Sequence, residues 1–408
     1  MKQKIIDKIN RLASQKEPFL FVINYQADET FIRKLSDINP EECLFDFEGR
    51  GNWRENHSKE MGDSKRIYEE TSREIPKEIS EKKFFKGTPL ESPISWQIAP
   101  PLYEDYERSF NIVKSNIMAG NSYLTNLTNR VPVNCNLSLE DIFHRAKGKY
   151  KLLLRRKRTQ AEDKAHLKEE EAQNKAHLKE ENIEENLTPF VCFSPETFVR
   201  IKGGRIYSYP MKGTLDASLP NSEKLLMEDR KEAAEHATIV DLIRNDLSRV
   251  AEDVRVDKYR YVDVLHTNKG DILQTSSEIS GRLPEDYPHH LGEILDVQLP
   301  AGSITGAPKD KTMQIIQEAE GYDRGFYTGI MGIYDQGELN SAVMIRFIEE
   351  ETSSVDFEAD GEKNFKANEG KKPKESRKLY FKAGGGITSK SDCRREYEEV
   401  IQKIYLPF

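Results

Sequence analysis

A β-hairpin is the local structure that constrains this sequence most. The string Lys202-Gly203-Gly204-Arg205 separates two stretches with strand patterns, residues 190–201 and 205–211. Paired glycines readily take the positive φ angles of a tight turn between strands. In the second stretch the large side chains of Tyr207 and Tyr209 fall on one face, which is the period of a half-buried strand. The fold therefore has to contain antiparallel sheet at this point.

Two ionisable residues border the hairpin, Glu196 within Ser194-Pro195-Glu196 and Lys212 after the second strand. With a bulged turn that includes Arg205, the two side chains would face each other. With a two-residue loop they would be diagonal and on opposite faces. Such a pair is either an ordinary cross-strand ion pair or the nucleophile and acid of an active site. The hairpin alone leaves both interpretations open.

The chain is long enough for a large core but is unusually polar. Of its 408 residues 32% are charged and 37% hydrophobic, and the mean hydropathy is −0.73. A compact protein of this size has such a composition only if charge is concentrated outside its core. Three charged stretches, about 53–91, 155–187 and 349–375, are predicted to be low-complexity surface insertions. We predict an N-terminal α/β portion, 1–98, and a larger region, 99–408.

Charge and cysteine usage exclude several classes of protein. The 62 basic and 70 acidic residues give a net charge of −8, so no nucleic acid or anionic membrane is expected as a partner. The four cysteines are far apart and form no C-x-x-C pair, which favours a reduced, cytoplasmic protein. Residues 1–15 are charged and amphipathic, unlike a secretory signal or a membrane span.

Between the insertions the pattern alternates between helices and strands. Helices are predicted at 103–117 with Gly120 as C-cap, at 221–247, and at 396–405 with a cap at Ser391 or Asp392. Further strands are predicted at 122–128, 273–283, 328–334, 341–348 and 377–383.

Two predicted helices each carry a pair of carboxylates three residues apart. Glu232 and Glu235 share a face of the long helix, and Glu396 and Glu399 share a face of the last one. Carboxylate oxygens suit Mg²⁺, which also keeps water and substrate oxygens as ligands. The same spacing is common on solvated helices, so a plain surface remains the alternative.

Two glycine-rich strings add possible anion sites. Residues 302–309 precede a helix, and backbone N–H groups at a helix start attract anions. The string is not a P-loop, because its spacing differs and Pro308 removes a donor before Lys309. Gly384-Gly385-Gly386 ends a strand, where the missing side chains let a ligand approach the backbone. A structural turn explains that string equally well.

Taken together and in this order, these strings resemble the chorismate-utilising enzymes. The matching strings are Ser194-Pro195-Glu196, Lys212-Gly213-Thr214, 235–247, 302–309, 324–329, Ile345-Arg346, 384–387 and 396–399. The resemblance implies an α+β fold in a single large domain, with two packed antiparallel β-sheets flanked by helices. It also implies that 99–408 is the catalytic region and binds chorismate and Mg²⁺.

The resemblance assigns roles to individual residues. Lys212 would be a nucleophile and Glu196 a general acid that protonates the departing C4 hydroxyl. Glu235 and Glu399 would hold Mg²⁺, with Glu232 and Glu396 beside them through water. The substrate carboxylates would be held by Thr305, Tyr327, Arg346, Lys403 and the backbone of Gly384, Gly385 and Gly386.

Lys212 also discriminates between members of the family. Lysine at this position resembles the aminodeoxychorismate synthases, whereas anthranilate synthases have alanine. The implied reaction is amination of chorismate at C4, giving 4-amino-4-deoxychorismate for p-aminobenzoate and folate. An amine attacks only when neutral, so the pocket should lower the pKa of Lys212. No cysteine lies in a Gly-x-Cys-x-Gly elbow, so ammonia is expected from a separate glutamine amidotransferase subunit.

Two further positions bear on the alternatives. Leu124 stands where isochorismate synthases have a water-activating lysine, which speaks against hydration of chorismate. Gln274 stands where anthranilate synthases have a histidine, which disfavours anthranilate formation. An anthranilate synthase component I remains the alternative enzyme. A catalytically inactive scaffold subunit is the alternative of another class.

Overall fold

The computed structural model describes residues 1–53, 93–155, 187–267, 270–353 and 376–408. The three predicted insertions therefore lie almost entirely outside the described residues. One exception is 349–353, which belongs to a regular strand, Phe347–Ser353, and not to an insertion. The strand continues there because its residues pair with Ser376 to Tyr380 across the gap in the description.

The described residues form nine α-helices and eighteen strands. The helices are α1 Gln3–Ser14, α2 Tyr103–Met118, α3 Leu139–Arg145, α4 Ser222–Glu228, α5 Arg230–Ser248, α6 Leu291–Gln298, α7 Gly302–Thr305, α8 Lys309–Glu320 and α9 Cys393–Gln402. The strands are β1 Phe19–Ile23, β2 Thr30–Lys34, β3 Cys43–Phe47, β4 Arg50–Gly51, β5 Trp96–Ile98, β6 Leu124–Cys135, β7 Tyr150–Leu154, β8 Phe190–Ser194, β9 Thr197–Lys202, β10 Arg205–Ser208, β11 Met211–Asp216, β12 Glu252–Thr267, β13 Gly270–Arg282, β14 Gly306–Ala307, β15 Ile330–Asp335, β16 Glu338–Val343, β17 Phe347–Ser353 and β18 Ser376–Ile387.

The strands form two nine-stranded sheets, and every described pairing is antiparallel. The first sheet has the order β11-β13-β10-β9-β16-β15-β1-β2, with β12 added to β13. The second has the order β14-β6-β18-β17-β8-β7-β3-β4, with β5 added to β6. The predicted fold, two packed antiparallel sheets flanked by helices, is confirmed.

Three apolar cores hold these layers together. The core between the sheets joins Leu20 and Met331 of the first sheet to Phe45, Leu152 and Phe190 of the second. A second core packs α1, α5 and α6 on the first sheet, and a third packs α2, α3, α8 and α9 on the second. Burial of these side chains is the main favourable term in folding.

The predicted hairpin is confirmed with a two-residue loop. Lys202 pairs with Arg205, and Gly203 and Gly204 have φ angles of +57° and +70°. These angles are those of a type I′ turn, whose twist matches the flanking strands. The strand after the turn is shorter than predicted: β10 ends at Ser208, and β11 continues along β13 from Met211, after Pro210, which has no N–H to donate.

The helix predicted at 221–247 is wrong as a single element. Asp229 has extended backbone angles and separates α4 from α5. Its carboxylate accepts hydrogen bonds from the backbone N–H groups of Lys231 and Glu232, at 2.8 and 3.0 Å. Aspartate is a strong N-cap, so the polar side chain starts a new helix. Glu232 thereby lies in the first turn of α5.

Two predicted strands are also wrong as single elements, because each passes from one sheet to the other. The stretch 190–201 divides at Pro195 and Glu196 into β8 of the second sheet and β9 of the first. The stretch 341–348 divides into β16 and β17, with Arg346 at a φ of +55°. The prolyl nitrogen lacks the donor that a continued ladder needs.

The N-terminal portion contributes to both sheets. β1 lies between β15 and β2 in the first sheet, and β3 lies between β7 and β4 in the second. The boundary at residue 98 stays a prediction. All four cysteines are unpaired thiols. No helix in the described parts of the chain is both long and apolar enough to cross a membrane.

Candidate active site

Glu196 lies at the corner where the chain leaves one sheet for the other. Its backbone carbonyl accepts from Val343 N at 3.2 Å, and Phe193 N donates to the Arg346 carbonyl at 3.1 Å. These bonds place the two corners side by side. The Glu196 carboxyl accepts a hydrogen bond from Ser303 Oγ at 2.7 Å. Burial raises the pKa of Glu196, although Ser303 and the charges of Arg346, Lys212 and Lys403 act against it. A raised pKa suits a general acid.

Arg346 presents a guanidinium with spare donors at the same corner. Its Nε is buried and has no hydrogen-bond partner among the described residues. The guanidinium carbon lies 5.7 Å from the centre of the Tyr405 ring. A buried donor without a partner is costly, so an acceptor from a ligand would be favoured here. Its planar fork suits a carboxylate.

Lys212 does not pair with Glu196 in the structure. Its Nζ donates to Glu235 Oε2 at 3.0 Å. The reason is that β11, unlike β10, pairs with β13 alone and not with β9, and its register shifts at Gly213, where φ is +69°. The simple cross-strand ion pair between Lys212 and Glu196 is therefore wrong. Glu196 still feels the charge of Lys212, which lowers the pKa of Glu196.

The pKa of Lys212 is raised, against the expectation from sequence. Burial acts in the expected direction and lowers this pKa. The negative charges of Glu235, Glu232 and Glu399 outweigh burial, because each favours the ammonium form. Lys212 is thus surrounded by the carboxylates that the sequence analysis assigned to a metal.

The four glutamates come from α5 and α9 and influence one another. Burial, then the charge of Glu235, raises the pKa of Glu232. Burial also raises the pKa of Glu396, helped by Glu399 and Glu235 and opposed by Ser391. Burial would raise the pKa of Glu399 as well, but the neighbouring Lys403 and Lys212 lower it overall. These mutual effects indicate one concentrated patch of negative charge.

Lysine amines lie between these carboxylates. Glu235 contacts Lys212 and also Lys231 at 3.7 Å, and Glu399 contacts Lys403 at 2.8 Å. No three His, Cys, Asp or Glu side chains in the described ranges stand close enough together to hold a metal ion. The donor set nevertheless suits Mg²⁺ in kind, because all four candidate groups are carboxylates.

Glycines create the space around this patch. A Cβ added to Gly385 would lie 3.6 Å from Glu396 Oε2 and 3.8 Å from Lys403 Nζ, and one on Gly386 would lie 3.8 Å from Lys212 Nζ. A Cβ at Gly213 would lie 3.1 Å from Glu232 Oε2. A side chain at these positions would fill the cradle in which the charged groups meet.

The strand end at Gly384 to Gly386 has one unpaired edge. β17 pairs with β18 only as far as Lys382, whereas β6 pairs with all three glycines. Lys403 Nζ donates to the Gly384 carbonyl at 2.9 Å, on the edge facing away from β6. The glycine string is therefore a β-strand edge and not a turn.

Thr305 and Tyr327 are buried close to this region. Thr305 is fully buried on α7, and its Oγ1 lacks a hydrogen-bond partner within the described residues. Tyr327 lies in the core between the sheets, with its ring 5.9 Å from that of Phe347. Burial raises the pKa of Tyr327, and the charge of Arg346 is close enough to act on it.

Two cavities adjoin these groups. A cleft with a cavity volume of about 170 Å³ is lined by Lys212, Glu235, Lys231, Leu124 and Lys390, among others. A second, much smaller cavity of about 30 Å³ is lined by Glu196, Ser303, Asp246, Gln298 and others. Glu196 and Lys212 thus line different cavities, but they are close enough for the charge of Lys212 to lower the pKa of Glu196.

Lys309 does not serve the anion site predicted for 302–309. Its Nζ pairs with Asp246 at 2.9 Å and donates to the Gln298 carbonyl at 2.8 Å. Ser303, in the same string, donates to Glu196 and carried no predicted role. Its only signal was its place beside Gly302 in an already notable string.

Comparison with known families gives these features a common origin. A family model described as chorismate binding enzyme matches residues 1–362. The chain belongs to the chorismate-binding enzymes. It is accordingly a chorismate-utilising enzyme, and the resemblance inferred from the motifs is confirmed at the level of the family.

Relatives within the chorismate-binding enzymes carry different names. A Haemophilus influenzae protein named "uncharacterized PabA-like protein" is 39% identical over 405 residues, covering 99% of this chain and 97% of the relative. An anthranilate synthase component 1 of Aquifex aeolicus is 34% identical over 222 residues, covering 52% of this chain and 38% of the relative. The family is shared, and the names do not agree on one reaction.

A solved chorismate-binding enzyme structure shares the fold. A Bacillus anthracis protein described as a 2,3-dihydroxybenzoate-specific isochorismate synthase aligns with a TM-score of 0.60 and 16% identity. The alignment covers 98% of this chain and 86% of that one. At this identity the comparison supports the architecture alone.

Proposed function

We propose that this chorismate-binding enzyme aminates chorismate at C4 and so makes 4-amino-4-deoxychorismate. The observation that carries the proposal is the position of Lys212. Its amine lies in the main cleft next to Gly386 and Glu235, and its charge reaches Glu196. A nucleophile and an acid within one site are what displacement of a ring hydroxyl requires.

The chain's own residues divide the reaction between them. The Lys212 amine, once neutral, attacks C2 of the ring, and the C4 hydroxyl leaves as water with the proton of Glu196. Ammonia then enters at C4 as the bond to Lys212 breaks. Burial supports the acid role, because it keeps the Glu196 pKa raised.

Substrate anchoring is assigned to cationic and backbone donors. The half-buried Arg346 with its spare Nε and the Lys403 amine at the glycine edge would hold the carboxylates of chorismate. The unpaired edge at Gly384, Gly385 and Gly386 would add backbone N–H donors. Thr305 and Tyr327 would complete the binding groups.

Glu235 and Glu399 would hold Mg²⁺, with Glu232 and Glu396 contributing through water. When bound, Mg²⁺ would supply Lewis-acid chemistry at the ring carboxylate and help the C4 hydroxyl depart. The mutual charge of the four carboxylates supports this assignment, because a divalent cation would relieve it.

Ammonia is proposed to come from a glutamine amidotransferase subunit. Two of the four thiols, those of Cys43 and Cys192, are poor nucleophiles for a glutaminase, since burial raises their pKa. The "PabA-like" name of a relative is consistent with a place in p-aminobenzoate synthesis, and so with folate. A cytoplasmic location is part of the same proposal.

Anthranilate formation is the second candidate, favoured by the 34% identity to a relative named anthranilate synthase component 1. The purified chain is incubated with chorismate, Mg²⁺ and ammonium, with and without an aminodeoxychorismate lyase, and products are separated by chromatography. We expect p-aminobenzoate only when the lyase is present. Anthranilate would overturn the choice, and no turnover with any amine source would favour the inactive scaffold.

A further inference from the structure

We propose that Ser303 is a positioning residue for Glu196, and that the buried ion pair Asp246–Lys309 holds Ser303 in place. The inference deepens the proposed function and rests on it, because the acid role of Glu196 belongs to that proposal. Asp246 lies in the matching string 235–247, and Ser303 and Lys309 lie in 302–309, but none of the three was assigned to metal or substrate.

The contact to the acid is direct. Ser303 Oγ donates to Glu196 Oε1 at 2.7 Å, and both side chains are half-buried. A hydroxyl bonded to one carboxyl oxygen fixes the rotation of the group and leaves the other oxygen to carry the transferable proton. General acids act only when the proton lies within reach of the leaving group, so orientation matters as much as acidity.

The charged groups around Glu196 come from three other elements. Arg346 lies between β16 and β17, Lys212 lies on β11, and Lys403 follows α9. All three favour the carboxylate form, as does the hydrogen bond from Ser303, whereas burial favours the acid. Removing the Ser303 hydroxyl leaves the cations in place and takes away one group that stabilises the carboxylate.

A clamp, the buried ion pair between Asp246 and Lys309, holds the short helix α7 that carries Ser303. Lys309 and Asp246 are 12% and 11% exposed, and their charged atoms are 2.9 Å apart. Where α7 meets α5, a Cβ on Gly302 would lie 3.1 Å from Asp246 Oδ2 and 2.9 Å from Leu242 Cδ2. α7 therefore rests on α5 with no room for a side chain between them.

The clamp joins the two parts of the candidate site. α5 carries Glu232 and Glu235, and α7 carries Ser303 and Thr305. Lys309, at the start of α8, binds Asp246 of α5 and also donates to the Gln298 carbonyl at the end of α6, so α7 lies between two anchored helix ends. Breaking one partner leaves a buried charge without its counter-ion, which displaces the local structure.

The first test measures the titration of Glu196 without reference to turnover. The full chain is labelled with δ-¹³C glutamate, its Glu196 signal is assigned by loss in Glu196→Gln, and pH titrations are followed by NMR. We expect Ser303→Ala to titrate at higher pH than the wild type and Ser303→Thr to restore the wild-type titration. An unchanged titration in Ser303→Ala would overturn the proposal, whatever the activity.

The clamp is tested in the same way. Lys309→Met should shift the Glu196 titration in the same direction as Ser303→Ala, because Ser303 loses its fixed position. The double variant Asp246→Asn/Lys309→Met removes both charges and leaves no buried charge unpaired. It replaces Lys309→Met in the titration if the single variant does not fold. If the folded variants titrate as the wild type does, the clamp has no part in placing Ser303.

Turnover separates this inference from the proposed function. In the ammonium assay, the kcat of Ser303→Ala should fall about fivefold or more, which corresponds to the loss of one hydrogen bond. The alkaline limb of its pH profile should move to higher pH. Ser303→Thr should recover both. If the NMR titration shifts but the wild type makes no aminated product, the coupling of Ser303 to Glu196 is supported and the proposed reaction is not.

Discussion

The carboxylates that were assigned to Mg²⁺ also favour the ammonium form of Lys212. Three carboxylates favour its charged form and outweigh the effect of burial, so its pKa is raised. Nucleophilic attack requires the neutral amine, and these carboxylates oppose the loss of the proton. The residue is therefore placed for reaction, but its charge state depends on what else binds in the cleft.

Replacing Lys212 by alanine tests its role. We expect Lys212→Ala to lose at least about 100-fold in amination rate, while Mg²⁺ binding measured by calorimetry remains, since no carboxylate is removed. Lys202→Ala, at an exposed position in the hairpin turn, is the matched control and should keep full activity. Equal rates in both variants would remove Lys212 from the chemistry.

The pH dependence of amination should report Glu196. Burial raises its pKa, so the acid form is present below that raised pKa and is lost as the pH rises through it. The rate should therefore fall on the alkaline side of the profile of kcat/KM against pH. Glu196→Gln should lose about 100- to 10,000-fold, the usual contribution of a general acid. A variant that kept the alkaline limb would assign it to another group.

At the scale of elements, two passages between the sheets build the site. Pro195-Glu196 and the stretch around Arg346 lie next to each other because backbone bonds join Phe193 to Arg346 and Val343 to Glu196. Residues at such corners belong to neither ladder, so their side chains leave the regular alternation of a strand. This explains why acid and guanidinium meet here.

The break between α4 and α5 sets the position of Glu232. Asp229→Ala removes the N-cap and should lower the free energy of unfolding by about 1 kcal/mol, as measured by urea denaturation. Asp241→Ala, at an exposed position inside α5, is the control and should change it far less. A loss of similar size in both variants would mean that the cap does not define the helix start.

Strand β12 shows where local patterns fail. Its pairing with β13 shifts register three times, and Asp253 and Arg260 have φ angles of +51° and +46°. Bulges of this kind interrupt the alternation on which strand prediction depends. The strand was therefore not predicted.

At the scale of the whole molecule, the N-terminal portion is part of both sheets. Phe19, Phe21 and Ile23 of β1 are fully buried between β15 and β2. Strand β3 likewise contributes Phe45 to the core between the sheets. Because both sheets include strands from the N-terminal portion, the chain does not divide into independently folding units at the boundary of that portion.

Deleting residues 1–53 should therefore abolish cooperative folding. The truncated chain would expose the apolar faces that β1 and β3 cover, and we expect no single unfolding transition by circular dichroism. The full chain should unfold in one transition under the same conditions. A truncated chain that unfolded cooperatively would instead support an independent region after residue 98.

The sequence by itself determined the chemistry available and the class of fold. Motif strings indicated the family, the hairpin turn was fixed by Gly203 and Gly204, and the two antiparallel sheets followed from the resemblance. These features are local, since turn glycines, capping residues and motif spacing depend on neighbours along the chain. The carboxylates and cations of the site were also predicted from motifs that are local in the sequence.

Only the tertiary structure decided which of these groups meet. The register of β11 places Lys212 in contact with Glu235 and not with Glu196. The packing of α7 on α5 places Ser303 in contact with Glu196 and Lys309 in contact with Asp246. Such pairings depend on how strands change sheets and how helices pack over long separations in sequence. No local pattern records them, because the side chains involved are brought together only when the two sheets and their helices assemble.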